Sequence, residues 1–258
     1  YNYENLLITK IGYNYYYSNF RLKSVSPFQY SVRIGAETSG NILYAASKLL
    51  ESEKNANGQY EVMNIAFAQY VKHDFSFTGN WRIDAINNLL LHVEWGIAVP
   101  YNNSTSLPFE KRYFAGGANS VRGWSVRELG PGTYLGNDKA IDYIKQSGDI
   151  KIGASLEFRS KLFWKLNGAL FLDAGNIWTI REYEEQPGGQ FFFDSFYKQI
   201  AVSYGAGIRM DLGFFVLRVD GGMKAYNPAG NTVYQRIPLL NPNFGRDFAF
   251  HLAVGYPF

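Results

Sequence analysis

Residues 199–212 read Gln199-Ile200-Ala201-Val202-Ser203-Tyr204-Gly205-Ala206-Gly207-Ile208-Arg209-Met210-Asp211-Leu212. Ile200, Val202, Tyr204, Ala206, Ile208, Met210 and Leu212 fall on one side of a period of two. Gln199, Ala201, Ser203, Gly205, Gly207, Arg209 and Asp211 fall on the other. Successive side chains of a strand point to opposite faces, so this is a β-strand with two unlike faces. Soluble strands usually run about five or six residues. This one is long enough for the roughly 9–11 residues that cross a bilayer at a tilt.

The pattern repeats along the chain. At 149–161, Ile150, Ile152, Ala154, Leu156 and Phe158 oppose Lys151, Gly153, Ser155, Glu157, Arg159 and Lys161. At 88–100, Leu89, Leu91, Val93, Trp95, Ile97 and Val99 oppose His92, Glu94, Gly96 and Ala98. At 28–37, Phe28, Tyr30, Val32, Ile34 and Ala36 oppose Gln29, Ser31, Arg33, Gly35 and Glu37. Weaker versions lie near 5–17, 63–80, 166–178 and 213–225. A last strand at 246–258 sets Phe248, Phe250, Leu252, Val254, Tyr256 and Phe258 on one face. About nine strands result. Single-chain bacterial barrels use an even number, so an odd count implies strands outside this chain or one miscounted.

Composition narrows the setting. The 258 residues include 20 Tyr, 20 Phe and 5 Trp, with no Cys and a formal charge of +3. The absence of Cys excludes a disulfide framework and a thiolate metal site. The small charge does not suggest nucleic acid, which comes with a concentrated basic stripe. An aromatic share of 17% suits rings at a membrane–water boundary, and equally a β-rich soluble protein. No run of about 18 apolar residues is present, so no transmembrane helix is expected. A mean hydropathy of −0.21 also fits a membrane barrel, in which only alternate residues meet lipid. Long strands, unbroken apolar faces and many aromatics together favour an all-β, transmembrane antiparallel β-barrel over a soluble sandwich. The chain opens at Tyr1 without initiator Met or signal peptide, and is expected to be a mature, truncated or partial piece of a longer protein.

Residues 162–165 and 212–213 read as short turns. The stretches near 101–148, 179–198 and 226–245 read as long loops, and 44–60 as a loop with a short helix. Connections beyond about 12–15 residues are usually functional or disordered. The 101–148 loop carries Tyr113, Phe114, Val121 and Trp124 beside Gly116, Gly117 and Gly123. Aromatics need a surface to cover, and the barrel lumen is the nearest. Arg122 in this loop would find Glu157 and Asp173 on the polar faces of the next two strands, where a guanidinium fork makes charge-assisted bonds. Residue chemistry alone leaves a second reading open. Arg122 could be a solvated loop charge, with the acids paired to Arg159 or Lys151.

No catalytic set converges. His73 and Asp74 are strand neighbours and point apart. His73, His92 and His251 sit on separate strands without metal-ligand spacing. No cofactor or metal is expected. The Gly-rich loop does not lead a strand into a helix, so it is no phosphate cradle.

Gly-Gly-Ala-Asn-Ser-Val-Arg-Gly-Trp at 116–124 resembles the Val-Arg-Gly-aromatic motif of the BamA superfamily, the outer-membrane assembly and polypeptide-transport barrels. Phe171-Leu172-Asp173-Ala174-Gly175-Asn176 is similar to that superfamily's Phe-x-Asp-x-Gly strand motif, and Glu157 sits where its members carry an acid. Phe258 resembles the closing aromatic of outer-membrane barrels. The likeness covers about the last 170 residues well, and its wording is most similar to the Bacteroidetes-type version. It implies that residues 1–258 are the C-terminal part of a barrel of sixteen strands, holding roughly the eighth to the last. It further implies that the 101–148 loop enters the lumen, where Val121, Arg122, Gly123 and Trp124, with Gly116 and Gly117, are held by Glu157 and Asp173. The implied activity is non-enzymatic: insertion of other barrel proteins in the outer membrane of Gram-negative bacteria. A lateral gate at Phe248, Phe250, Leu252, Val254, Gly255, Tyr256 and Phe258 would template the incoming strand. Implied partners are outer-membrane lipids and lipopolysaccharide, substrate barrels and accessory assembly proteins, and no nucleic acid. The alternatives are a two-partner-secretion-like transporter of one exported protein and a passive porin-like channel. An outer-membrane enzyme is the weakest.

Overall fold

The period-two segments become nine strands laid side by side in one antiparallel sheet. The computed structural model describes residues 5–20, 26–136 and 145–257. The strands are β1 (Lys10–Ser18), β2 (Phe28–Ser39), β3 (Tyr70–Arg82), β4 (Asn87–Pro100) and β5 (Ile150–Lys161). They continue with β6 (Leu166–Trp178), β7 (Ala201–Asp211), β8 (Val216–Tyr226) and β9 (Phe248–Val254). Each pairs with its sequence neighbours, so the sheet is a simple meander with β1 and β9 at its two edges.

Short turns close one end. Between β3 and β4 the Asp84 carboxylate accepts the N–H groups of Ile86 and Asn87 at 2.8 Å each, an Asx turn. Between β7 and β8, Gly213 takes φ +91° and Leu212 N–H donates to Phe215 O at 3.0 Å. Long connections gather at the other end. The β2–β3 connection carries helix α1 (Asn41–Leu49) and two short strands, Glu61–Val62 and Ile65–Phe67, that pair with each other. Leu6–Leu7 completes this small sheet.

The two faces reverse the order of a soluble protein. Tyr13, Tyr15, Ile34, Trp95, Leu156, Phe158, Leu170, Leu172, Ile208, Phe250 and Leu252 are exposed on the outer face. Glu157, Asp173, Ser203, Arg209, Arg218, Asp220 and His251 are buried on the inner one. Apolar area costs about 25 cal/mol per Å² in water, so an outer face of this composition belongs in lipid. Neighbouring strands set rings together there: Phe28 and Trp81 lie 4.6 Å apart, Phe75 and Trp95 6.1 Å. The fold is therefore a transmembrane antiparallel β-barrel type. Among the described residues, no helix is long and apolar enough to cross a membrane.

Several boundaries differ from the sequence reading. The strand expected from 246 starts at Phe248, because Asn243 caps a turn of helix over Phe244–Asp247. It ends at Val254, because Gly255 takes φ +91°. The helix expected within 44–60 begins earlier, at Asn41, and the 63–80 segment divides at Ala68 and Gln69. Phe258 lies outside the described residues.

Candidate functional site

The β4–β5 loop supplies most of the buried apolar cluster. Leu107, Tyr113, Ala115, Val121, Trp124 and Leu129 pack with Ala98, Ile177 and Ala201 from the strands. Gly116 and Gly117 both take φ +92°, a conformation that L side chains rarely adopt. They turn the chain so that Gly117 N–H donates to Trp124 O at 2.8 Å. Trp124 N–H then reaches Val121 O at 3.3 Å, and the closed tip presents Arg122 to the inner face of the sheet.

Arg122 is 1% exposed. Its Nε and Nη2 donate to the two Asp173 oxygens at 2.8 Å each, a bidentate fork, and its backbone N–H adds a third bond at 3.1 Å. Nη1 donates to Glu157 Oε2 at 2.6 Å. The guanidinium carbon lies 3.5 Å from the Phe171 ring centroid. Ser155 Oγ donates to Asp173 Oδ1 and accepts from Arg122 Nη2 at 3.2 Å. Planar, bidentate geometry of this kind is specific to arginine; a lysine cannot reproduce it.

The acids are shared. Glu157 Oε2 also accepts from Arg209 at 3.1 Å, and Oε1 from Arg159 at 2.6 Å. Arg209 bonds Asp220 in turn, and Arg218 lies 3.4 Å from Asp220 while bonding Asn119 of the loop. Lys151 pairs with Glu94 at 2.6 Å. The acids thus take Arg122 and Arg159 together. Ser155, Phe171, Arg209, Arg218 and Asp220 escaped the sequence reading as site residues. Alternation put Arg209 on the polar face, but the cross-strand register that gathers these groups is not written in any one strand.

The motif loop also reaches the last strand. His251 Nε2 lies 2.9 Å from Arg122 O. Beside it, Trp124 is buried under Lys224, whose Nζ is 5.3 Å from the ring. Phe248, Phe250, Leu252 and Val254 point outward and are exposed. Gly255 N–H donates to Val216 O at 2.7 Å, and the Tyr256 ring sits 4.4 Å from the Arg159 guanidinium. Among the described residues no group of His, Asp and Glu could hold a metal ion.

Glu128 ties the loop to β8 through Lys224 at 3.0 Å and accepts Ser125 N–H at 2.7 Å. Burial pushes its carboxyl up, but Lys224 and Ser125 outweigh burial and hold it below the ordinary glutamate value. A depressed carboxyl contributes stability above its free value, roughly 4.3, and loses it as pH falls through the folded value. Hydrogen exchange over 125–129 is therefore expected to stay unchanged by this tie from pH 7 to 5, after correction for intrinsic rates, and to accelerate only below about 4. Corrected exchange that already accelerates at pH 6 contradicts it.

The Omp85 superfamily domain matches residues 9–258. The chain is 30% identical over 126 residues to the outer membrane protein assembly factor BamA of Neisseria meningitidis serogroup B, covering 45% of this chain and 15% of that protein. It is 30% identical over 153 residues to sorting and assembly machinery component 50 homolog A of Xenopus laevis, covering 56% and 30% respectively. It thus spans less than a third of the curated relatives it matches. Among solved structures, BamA from Haemophilus ducreyi lacking POTRA domains 1–3 aligns with a TM-score of 0.50 at 13% identity, covering 96% of this chain and 55% of that one. That likeness is one of fold. With the superfamily domain running through every strand of the sheet, the chain belongs to the Omp85 superfamily, as a multi-pass β-barrel protein of the outer membrane.

Proposed function

We propose that this chain is the C-terminal barrel portion of an outer-membrane assembly protein, which templates the folding of other β-barrel proteins at a lateral gate. In this reading residues 1–258 supply about the eighth to the sixteenth strand. The 101–148 loop is an internal latch in the lumen, and Arg122 is its bolt on Glu157 and Asp173. The observation that carries the reading is the state of β9. It has seven residues, the fewest of the nine strands of the sheet, and the left-handed Gly255 ends it, so it offers few pairs to a neighbour. A strand edge with unpaired N–H and C=O groups is a template for an incoming strand. His251 links that strand to the carbonyl of Arg122, so latch and gate share a contact. Templating makes and breaks no covalent bond, and the role is non-enzymatic. Partners would be substrate barrels, accessory assembly proteins, and outer-membrane lipids with lipopolysaccharide.

The test is depletion of the full-length protein in its own bacterium. Heat-modifiable, folded outer-membrane barrels are expected to fall together, and re-expression to restore them. Loss of one exported protein with barrels unaffected would instead favour the secretion transporter. His251→Ala, expressed in the depleted strain, is expected to slow barrel assembly several-fold, since it removes one hydrogen bond worth about 1 kcal/mol. Assembly at the wild-type rate would separate β9 from the latch.

A further inference from the structure

The start of the β4–β5 loop meets the opposite half of the sheet from Arg122, and Tyr113 is one of the side chains it seats there. Tyr113 is buried, and its hydroxyl donates to Asp74 Oδ1 of β3 at 2.7 Å. The Lys72 ammonium sits 4.1 Å from the ring centroid. On β4 the ring lies where Gly96 leaves room. A Cβ there would stand 2.5 Å from the Tyr113 hydroxyl and 2.6 Å from Cζ. The Tyr113 backbone exchanges two 2.8 Å hydrogen bonds with Gly148, joining the two ends of the loop at the same point. Next to it, Lys111 pairs with Glu37 of β2 at 2.7 Å, and Lys72 donates to Lys111 O at 3.2 Å.

We propose that Tyr113, seated on Gly96 and bonded to Asp74, is a second positioning residue of the loop. It fixes the loop's base on β3 and β4, independently of the Arg122 anchor on β5 and β6. The loop is thus a strap held at two charged seats. A strap held at both ends can release its tip without losing its register, because the base still sets where the tip returns. The inference rests on the assembly reading for what the strap serves, but the anchor itself is a separate physical claim.

Tyr113→Phe keeps the ring and removes only the hydroxyl. Asp74→Ala removes the charged acceptor and leaves only the longer bond to His73 O at 3.3 Å, and Asp74→Asn retains an oxygen that accepts. Exchange of backbone amides in 109–117, followed by mass spectrometry on the folded full-length protein, is expected to rise about tenfold in Tyr113→Phe and Asp74→Ala. That is the scale for losing a hydrogen bond to a charged acceptor. Exchange over 118–124 is expected to stay at the wild-type rate, and Asp74→Asn to recover most of the protection. The double variant is expected to match the single ones, as two halves of one contact do. Barrel insertion by Tyr113→Phe is expected to slow several-fold. Unchanged exchange in 109–117, or acceleration spread equally over 109–124, overturns the independent anchor. Accelerated exchange with wild-type insertion overturns its positioning role, while Arg122→Ala still tests the assembly reading by itself.

Discussion

Arg122→Ala releases the loop tip while leaving the nine-stranded sheet folded. The expected loss is about 3–5 kcal/mol of loop anchoring, the scale for removing one partner of a buried ion pair. The cost falls unequally on the two acids. Glu157 keeps Arg159 and Arg209, at 2.6 and 3.1 Å. Among the described residues, Asp173 keeps only its neutral neighbour Ser155 at its oxygens. The orphan is therefore Asp173, a buried carboxylate without a cation. Asp173→Asn in the Arg122→Ala background is expected to recover part of the loss, because the uncompensated charge is gone. Arg122→Lys is expected to behave more like alanine than like arginine. An ammonium cannot span both Asp173 oxygens and Glu157 at once. Amide exchange over 117–124 measures each of these, and protection in Arg122→Lys equal to wild type would refute the fork as the source of anchoring.

Gly222→Ala carries the second large effect, and for a steric reason. A Cβ on Gly222 of β8 would stand 2.1 Å from Arg122 O and 2.6 Å from its carbonyl carbon. Both are backbone atoms, so no rotamer change relieves the clash. The loop must lift from β8, and Arg122 must then leave the reach of Asp173. Overpacking in a tight site costs typically 1–3 kcal/mol, and here it also breaks part of the ion-pair network. Ala substitution at Gly213 is a useful contrast, since a Cβ there meets nothing within 4 Å. Its φ of +91° confines any strain to the β7–β8 turn. Limited proteolysis within 113–129 is expected to accelerate strongly in Gly222→Ala and not in Gly213→Ala. Equal protection of both variants would contradict the close approach of loop and strand.

The strands were legible because lipid on one side and buried polar groups on the other impose a period of two. Of the 199–212 stretch β7 takes Ala201–Asp211, where Ala201, Ser203 and Arg209 are buried and Ala206 and Ile208 exposed; Gln199 belongs to the short helical turn Phe196–Gln199 before it. The ends of strands are decided by local chemistry that alternation does not carry. Asn243 caps the turn that delays β9, and the left-handed Gly255 ends it. Gly40 opens α1 before the expected helix, and Met63 and Asn64, both at positive φ, make a separate hairpin of Glu61–Phe67. Arg122, Glu157 and Asp173 could be named from the sequence because a motif pointed to them. Arg209 and Asp220 come together only when β7 and β8 pair Gly207 with Asp220, which sets Asp220 one step from Arg209 on the same face. His251 meets Arg122 across 129 residues of chain, and no local pattern encodes that contact.

The proposed Arg122 latch would govern templating at the gate. The most direct measurement is the initial rate at which a chemically unfolded substrate barrel becomes heat-modifiable in liposomes holding the full-length protein. Wild type and Arg122→Ala are compared at equal amounts of folded protein. The latch predicts a rate at least about tenfold lower for Arg122→Ala, the factor that corresponds to roughly 1.4 kcal/mol. Equal rates, with both proteins folded, would contradict it.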